Sequence, residues 1–168
     1  GSYQTLPNIR KKNFAILVEG QTDFLRLVEQ TFDNVLATSG TAFSSKHAVA
    51  LKKYTNRVIL CYDSDNAGIN AAIRTSYVLL QNGIETRVLF LDNGDDPDDF
   101  FKREDKTRDD FRRLIKNASH PISFIVRQKD ILSHGAADQS KFLNECIAEI
   151  QLVSDLMVRN DLIRKLLK

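Results

Sequence analysis

The sequence predicts an α/β fold, in which a mainly parallel sheet flanked by helices is followed by a small C-terminal helical bundle. Two observations predict it. Short apolar runs alternate with segments of helical periodicity over the first hundred residues, and strands that alternate with crossover helices form parallel sheets. From about residue 97 onward, no strand pattern returns and four segments carry apolar residues at helical spacing.

The predicted elements follow one another in a regular order. The strands are predicted at 14–18, 34–37, 57–62 and 85–91. The helices between them are predicted at 23–32, 44–54 and 69–80; Ser44 is the cap of the second, and Asn82-Gly83 ends the third. The later helices are predicted at 97–117, 121–132, 138–153 and 155–168, with Pro121 in a first helical turn and a loop at 133–137.

Composition excludes several classes of protein. The 168 residues include 24 Lys+Arg, 22 Asp+Glu and 42% hydrophobic residues, as in soluble globular domains. The longest apolar runs are about five residues, far short of the roughly 20 that a membrane helix needs. No secretory leader is visible, and Cys61 and Cys146 fall in apolar strand and helix patterns. We therefore expect a cytoplasmic protein with packed, unpaired thiols.

Acidic residues stand just beyond the ends of three predicted strands. Glu19 follows the first, Asp63 and Asp65 follow the third, and a run with five Asp in eight residues, 92–99, follows the fourth. The carboxyl ends of parallel strands share one edge of the sheet, so these acids are expected to converge. Close carboxylates repel one another unless a cation neutralises them, and oxygen ligands suit Mg²⁺ or Mn²⁺. Carboxylate-held metals are a recurrent device of phosphoryl transfer.

Structural roles remain open for several of these residues. Asp65 and Asp96 are well placed as helix caps, and Asp23 fits the first turn of its helix. Glu19 and Asp63 have no capping role of this kind. The loop that follows the second strand, Thr38, Ser39, Gly40 and Thr41, either offers donors to a phosphate or is a polar turn. The three His are far apart in sequence with no Cys pairs nearby, so we expect no zinc site.

Two motifs resemble the Toprim domain of bacterial primases, topoisomerases and some nucleases: Glu19-Gly20 after the first strand and Asp63-Ser64-Asp65 after the third. Further stretches, 19–23, 37–42, 58–68, 94–100 and, more loosely, 153–165, are similar to DnaG-type bacterial primases. The family usually has Tyr-Met where this chain has Gln21-Thr22. The resemblance covers nearly the whole chain and implies a Toprim-like fold.

The resemblance implies a division of the chain and a set of site residues. Residues 1–13 would be a tag remnant and a linker from a missing N-terminal subdomain, 14–104 the Toprim catalytic domain and 105–168 the helical bundle. Catalytic roles are implied for Glu19, Asp63 and Asp65. These three, with Asp23, Asp96 and Asp98, would hold Mg²⁺ or Mn²⁺, and more than one ion is expected.

The implied activity is synthesis of short RNA primers on single-stranded DNA by metal-dependent nucleotidyl transfer. The implied partners are the DNA template, nucleoside triphosphates, the RNA primer and, through domains absent here, a replicative helicase; no membrane is implied. Without its basic subdomain the chain is expected to be inactive or weakly active.

The alternatives are a Toprim-family metal-dependent nuclease acting on RNA or DNA and a non-catalytic interaction module, which the intact acid set disfavours. A topoisomerase is disfavoured because no Tyr lies in a suitable setting.

Overall fold

Four strands form one sheet in the computed structural model, which describes residues 2–38, 40–91, 95–130 and 133–167. The strands are β1 (Ala15–Val18), β2 (Val35–Ala37), β3 (Arg57–Cys61) and β4 (Glu85–Val88). They are mutually parallel in the order β2-β1-β3-β4, which confirms the predicted parallel sheet. Val18 lies opposite both Ala37 and Cys61, so the carboxyl ends of three strands are level.

Helices cover both faces of the sheet and continue beyond it. They are α1 (Ser2–Lys12), α2 (Gln21–Glu29), α3 (Ser45–Lys52), α4 (Asn66–Gln81), α5 (Pro97–Lys102), α6 (Arg108–Lys116), α7 (Pro121–Lys129), α8 (Ala136–Gln151) and α9 (Leu156–Leu166). Ser44 is the N-cap of α3 and Asn82 the C-cap of α4, as predicted. Gly83 follows with a φ of +71°, a left-handed conformation that favours glycine. No helix among the described residues is both long and apolar enough to cross a membrane.

Alternate residues of β1 face two separate apolar cores. Leu17 packs with side chains of α1, α3 and α4 and of the C-terminal helices α7, α8 and α9. Ile16 and Val18 pack with Phe24 of α2, with α5, and with Phe111 of α6. Each face of the sheet is therefore covered partly by residues after position 104. The predicted division at 104/105 stays a prediction, and the packing is continuous across it.

The N-terminal segment has more structure than the sequence suggested. Residues 2–12 of the segment interpreted as a tag remnant and linker form α1. Ile9 on this helix is fully buried in the core that contains Leu17. Pro7 inside the helix and the few apolar residues had hidden the helical pattern.

Two further differences from the prediction are a helix that is split in two and a strand that ends early. The segment 97–117 is two helices, because Arg103 has an extended backbone and Thr107 caps α6 by accepting a hydrogen bond from the Asp110 N–H. Strand β4 ends at Val88, although Leu89 and Leu91 beyond it remain buried. An apolar run signals burial, and it does not by itself signal how far strand pairing extends.

Candidate functional site

Five carboxylates meet at the carboxyl edge of the sheet, which we call the acid edge: Glu19, Asp23, Asp63, Asp65 and Asp96. Glu19 directly follows β1, and Asp63 and Asp65 follow β3. Asp23 lies in the first turn of α2, and Asp96 is the N-cap of α5. Their charges act on one another: after burial, which is the largest cause, Asp96 and Asp63 raise the pKa of Asp23, and Asp63 and Asp65 raise the pKa of Glu19. The predicted convergence of these acids is therefore seen in the structure.

Asp23 is the most buried member of the acid edge, with 4% of its surface exposed. Burial is the largest cause that raises its pKa, to about 6, followed by the charges of Asp96 and Asp63; backbone N–H groups of Asp98 and Gly20 lower it. Its Oδ2 accepts a hydrogen bond from the Gly20 N–H at 3.3 Å. Its Oδ1 is buried and has no hydrogen-bond partner among the described residues.

Glu19 and Asp63 also present buried oxygens to which no described residue donates. Burial first, and then neighbouring carboxylates, raise the pKa of both groups, while Arg74 lowers that of Glu19. Within the described part of the chain, Glu19 Oε2 and Asp63 Oδ1 have no hydrogen-bond partner. A buried acceptor without a donor destabilises the fold by about 1–3 kcal/mol. A hard divalent cation would satisfy these oxygens, so the donor set fits Mg²⁺ or Mn²⁺.

Asp65 and Asp96 act as helix caps, as the sequence allowed. Asp65 Oδ1 accepts a hydrogen bond from the Gly68 N–H at 2.7 Å, and Asp96 Oδ1 accepts one from the Asp99 N–H at 2.7 Å. Each cap uses one carboxylate oxygen. Capping fixes the direction of these carboxylates and leaves the second oxygen of each for another ligand.

Asp98 differs from the other predicted metal ligands, because both of its oxygens are engaged by cations. Oδ1 lies 2.6 Å from Arg26 Nε, and Oδ2 lies 2.8 Å from Lys102 Nζ. Lys102 and Arg26 hold the pKa of Asp98 below its usual range. Among the described residues, no three His, Cys, Asp or Glu side chains are already arranged as a metal site. Metal roles for the predicted residues, Asp98 included, stay predictions.

The predicted phosphate loop is held close to the acid edge. The Thr38 hydroxyl donates to the Glu19 carbonyl at 3.3 Å, and the Thr41 hydroxyl donates to the Thr38 carbonyl at 3.0 Å. Gly40 has a φ of +78° with open space around it, and Ser39 lies outside the described residues. The hydroxyl protons of Thr38 and Thr41 are both donated to backbone carbonyls, so a turn role is evident and a phosphate role stays a prediction.

Sequence reasoning missed residues that hold the acids in place. The Ser64 hydroxyl lies 2.9 Å from the Leu91 carbonyl and 3.0 Å from that of Asp95, which joins the ends of β3 and β4. A Cβ on Gly68 would come within 2.9 Å of Asp63 Cβ and still closer to its carbonyl. A glycine in the first turn of a helical pattern is a signal of such close backbone approach. Nothing in the sequence pattern indicated the partner of Ser64.

Comparison with known proteins places this chain among primase-like structures. A family model described as Toprim-like matches residues 16–101. DNA primase from Aquifex aeolicus is 37% identical over 127 residues, which cover 76% of this chain and 25% of that protein. DNA primase from Listeria innocua is 30% identical over 164 residues, 94% of this chain and 26% of that protein. The chain thus spans about a quarter of the length of the curated relatives it matches.

Solved structures give the same result. A DNA primase domain from Pseudomonas aeruginosa has a TM-score of 0.83 at 27% identity, over 98% of this chain and 52% of that one. The Aquifex aeolicus primase, with zinc-binding and RNA polymerase domains, gives 0.78 at 30% identity, over 98% and 39%. A DnaG primase catalytic domain bound to single-stranded DNA gives 0.76 at 26% identity, over 92% and 51%. The resemblance to DnaG-type primases predicted from the motifs is confirmed.

Proposed function

Since this chain belongs to the Toprim-like family, we propose that it is the Toprim and helical part of the catalytic core of a bacterial replicative primase. The reaction would be DNA-directed synthesis of short RNA primers by nucleotidyl transfer. The observation that carries the proposal is a set of buried oxygens, on Glu19, Asp23 and Asp63 at one edge of the sheet, that accept no hydrogen bond from the residues the structure describes. Similarity to primase cores over almost the whole chain supports it.

The acid edge would hold Mg²⁺ or Mn²⁺ through Glu19, Asp23, Asp63, Asp65 and Asp96. Such ions supply positive charge to the phosphates of a nucleotide and to the leaving pyrophosphate. Asp65 and Asp96 are oriented by their caps, so two of the carboxylates are positioned before any ligand binds. The 3′-hydroxyl of the primer would attack the α-phosphorus of the incoming nucleotide. The carboxylate of Glu19, whose pKa is raised first by burial, would take up the proton of that hydroxyl.

The partners of the whole protein belong to the same proposal. We propose a single-stranded DNA template, nucleoside triphosphates, an RNA primer, a replicative helicase engaged through other domains, and a cytoplasmic location. Binding of single-stranded DNA by a related catalytic domain supports the template assignment. This chain has a net charge of only +2, and phosphate contacts dominate template affinity. Most of the affinity for the template is therefore expected to come from elsewhere in the protein.

A Mn²⁺ titration followed by paramagnetic broadening tests the metal site. The chain is compared with Glu19→Gln and Asp63→Asn, and Asp109→Asn serves as the matched control because this carboxylate is 76% exposed on α6. We expect saturable binding that Glu19→Gln and Asp63→Asn each weaken and that the control leaves unchanged. Equal binding by all four proteins would contradict the proposal.

Activity assays separate the primase from its alternative. The isolated chain is expected to make little or no primer, and the chain joined to a basic template-binding subdomain is expected to make primer with dependence on Glu19. Robust template-dependent synthesis by the 168-residue chain would contradict the expected inactivity. Metal-dependent cleavage of RNA or DNA that needs the same acids, without any primer synthesis, would replace the primase with a Toprim nuclease.

A further inference from the structure

One ion pair crosses from the helix after β1 to the helix that precedes α6. Arg26, on α2, contacts Asp98, on α5, with an Nε–Oδ1 distance of 2.6 Å. The Asp98 side chain is only 12% exposed and that of Arg26 is 31% exposed. Arg26 Nη1 also contacts Glu29 at 3.0 Å on its own helix. The Arg26 side chain is therefore fixed at one end on α2 and at the other on α5.

The same two helices carry like charges that face each other. Asp23 is in the first turn of α2, and Asp96 caps the N-terminus of α5. Without a bound cation these carboxylates repel one another. That repulsion favours separation of α5 from α2, and the backbone N–H of Asp98 beside the Asp23 carboxylate is one contact that opposes it. The pair between Arg26 and Asp98 opposes it, since it joins the two helices one turn from the repelling groups.

Lys102 contacts the same carboxylate and gives a built-in comparison. Lys102 Nζ lies 2.8 Å from Asp98 Oδ2, but both residues belong to α5. It neutralises Asp98 without connecting α5 to any other element. Arg26 and Lys102 thus carry the same charge to the same carboxylate, and of these two cations Arg26 is the one that joins α5 to α2.

We propose that Arg26 is a positioning residue which, through Asp98 as its anchor, holds Asp96 against Asp23 and Asp63 in the acid edge. Asp98 then serves as the anchor of α5 and not as a metal ligand. This inference rests on the proposed metal function of the acid edge. Partners that orient metal ligands typically change metal affinity roughly 10-fold or more when they are removed.

The Mn²⁺ affinity of three single variants tests the tether, because the tether and simple charge removal predict opposite changes in affinity for Arg26→Gln. Arg26→Gln and Lys102→Gln each remove one positive charge near the acids, so charge alone predicts equal or tighter binding in both. The tether predicts that Lys102→Gln binds at least as tightly as the wild type and that Arg26→Gln binds roughly 10-fold more weakly. Asp98→Asn is expected to match Arg26→Gln, and the double variant Arg26→Gln/Asp98→Asn to be no weaker than either.

The opposite pattern would overturn the proposal. If Asp98 is a metal ligand, Arg26→Gln frees it and tightens binding, Asp98→Asn weakens binding, and the two effects are independent in the double variant. Circular dichroism and urea unfolding confirm that each variant is folded. Asp63→Asn in the same series shows whether the acid edge binds metal at all, so failure of the metal site is seen separately from failure of the tether.

Amide hydrogen exchange of the metal-free chain tests whether Arg26 ties α5 to α2, and this test does not need a bound metal. The Phe100 N–H donates to the Asp96 carbonyl in the first turn of α5 at 2.9 Å, so its exchange reports opening of this helix. Arg26→Gln is expected to speed this exchange roughly 10-fold, the usual effect of losing a charged hydrogen bond. Lys102→Gln is expected to change it by no more than about twofold, the worth of a pair within one helix. Equal exchange in Arg26→Gln and the wild type would refute the tether.

Discussion

Replacement of Asp23 by Asn should stabilise the metal-free protein at neutral pH. The Asp23 carboxyl is almost fully buried, and one of its oxygens accepts no hydrogen bond from any described residue. Burial and the charges of Asp96 and Asp63 raise its pKa from 3.8 to about 6. The folded state therefore binds the Asp23 proton more tightly than the unfolded chain does. Asparagine has nearly the same shape and removes the buried charge.

The magnitude follows from this difference in pKa. The gap between 3.8 and about 6, at 1.36 kcal/mol per pH unit, amounts to about 3 kcal/mol. Tighter proton binding by Asp23 in the folded state adds this amount to the free energy of unfolding. The contribution is fully present below pH 3.8 and is lost as the pH rises through about 6. About 2 kcal/mol of the loss falls between pH 4.5 and pH 8. Asp23→Asn lacks this titration, so its advantage over the wild type should grow with pH.

Urea unfolding of both proteins without divalent cations, at pH 4.5 and pH 8, measures the effect. The difference between the two proteins is compared at each pH, so titrations common to both cancel. Asp109→Asn is the control, because this exposed carboxylate lies outside the acid edge. Added Mg²⁺ should stabilise the wild type at pH 8 and reduce the advantage of Asp23→Asn. If the difference in the free energy of unfolding between Asp23→Asn and the wild type is the same at pH 4.5 and pH 8, the reasoning is refuted.

Substitutions at three further positions separate packing, capping and charge. Gly68→Ala should destabilise the chain and weaken Mn²⁺ binding, because the new Cβ would meet the backbone of Asp63; urea unfolding and the titration measure both effects. Asp65→Ala should lose about 1 kcal/mol in urea unfolding with the cap of α4, whereas Asp65→Asn should keep the cap and still bind Mn²⁺ more weakly. Equal stability of these two variants would contradict the capping role. Phe111→Ala should cost about 3–5 kcal/mol in the same assay, since Phe111 is fully buried with its ring 5.2 Å from that of Phe32. A loss below 1 kcal/mol would show that this aromatic core is not as tightly packed as it appears in the structure.

The parallel sheet and the meeting of the acids were predictable because both follow from local patterns. The run at 57–62 is long enough to be recognised as a strand, and a strand end followed by Asp63 and Asp65 lies at the carboxyl edge wherever the strand sits in the sheet. Two of the caps were also predictable. Asp65 and Asp96 each precede a helical pattern, and capping involves atoms only a few residues apart.

Contacts between distant residues could not be predicted in the same way. Arg26 and Asp98 are 72 residues apart, and neither carries a pattern that selects the other. Asp98 therefore looked equivalent to Asp96 in the sequence, although its oxygens are engaged by Arg26 and Lys102. Helix α1 was missed for a related reason. Its apolar contacts come from Leu6 and Ile9 alone among its described side chains, and the core they join is assembled from the rest of the chain.

The two cores described above also limit how this chain can be divided. Phe111 completes one face of the sheet, while Ile122 and Ile150 complete the other. A protein ending at residue 104 would leave both faces with exposed apolar surface and would be prone to aggregate. The helices after residue 104 should therefore be kept with the sheet in any engineered version of this chain. Recombination that exchanges the α/β part alone should fail, whereas exchange of the whole length keeps each core intact.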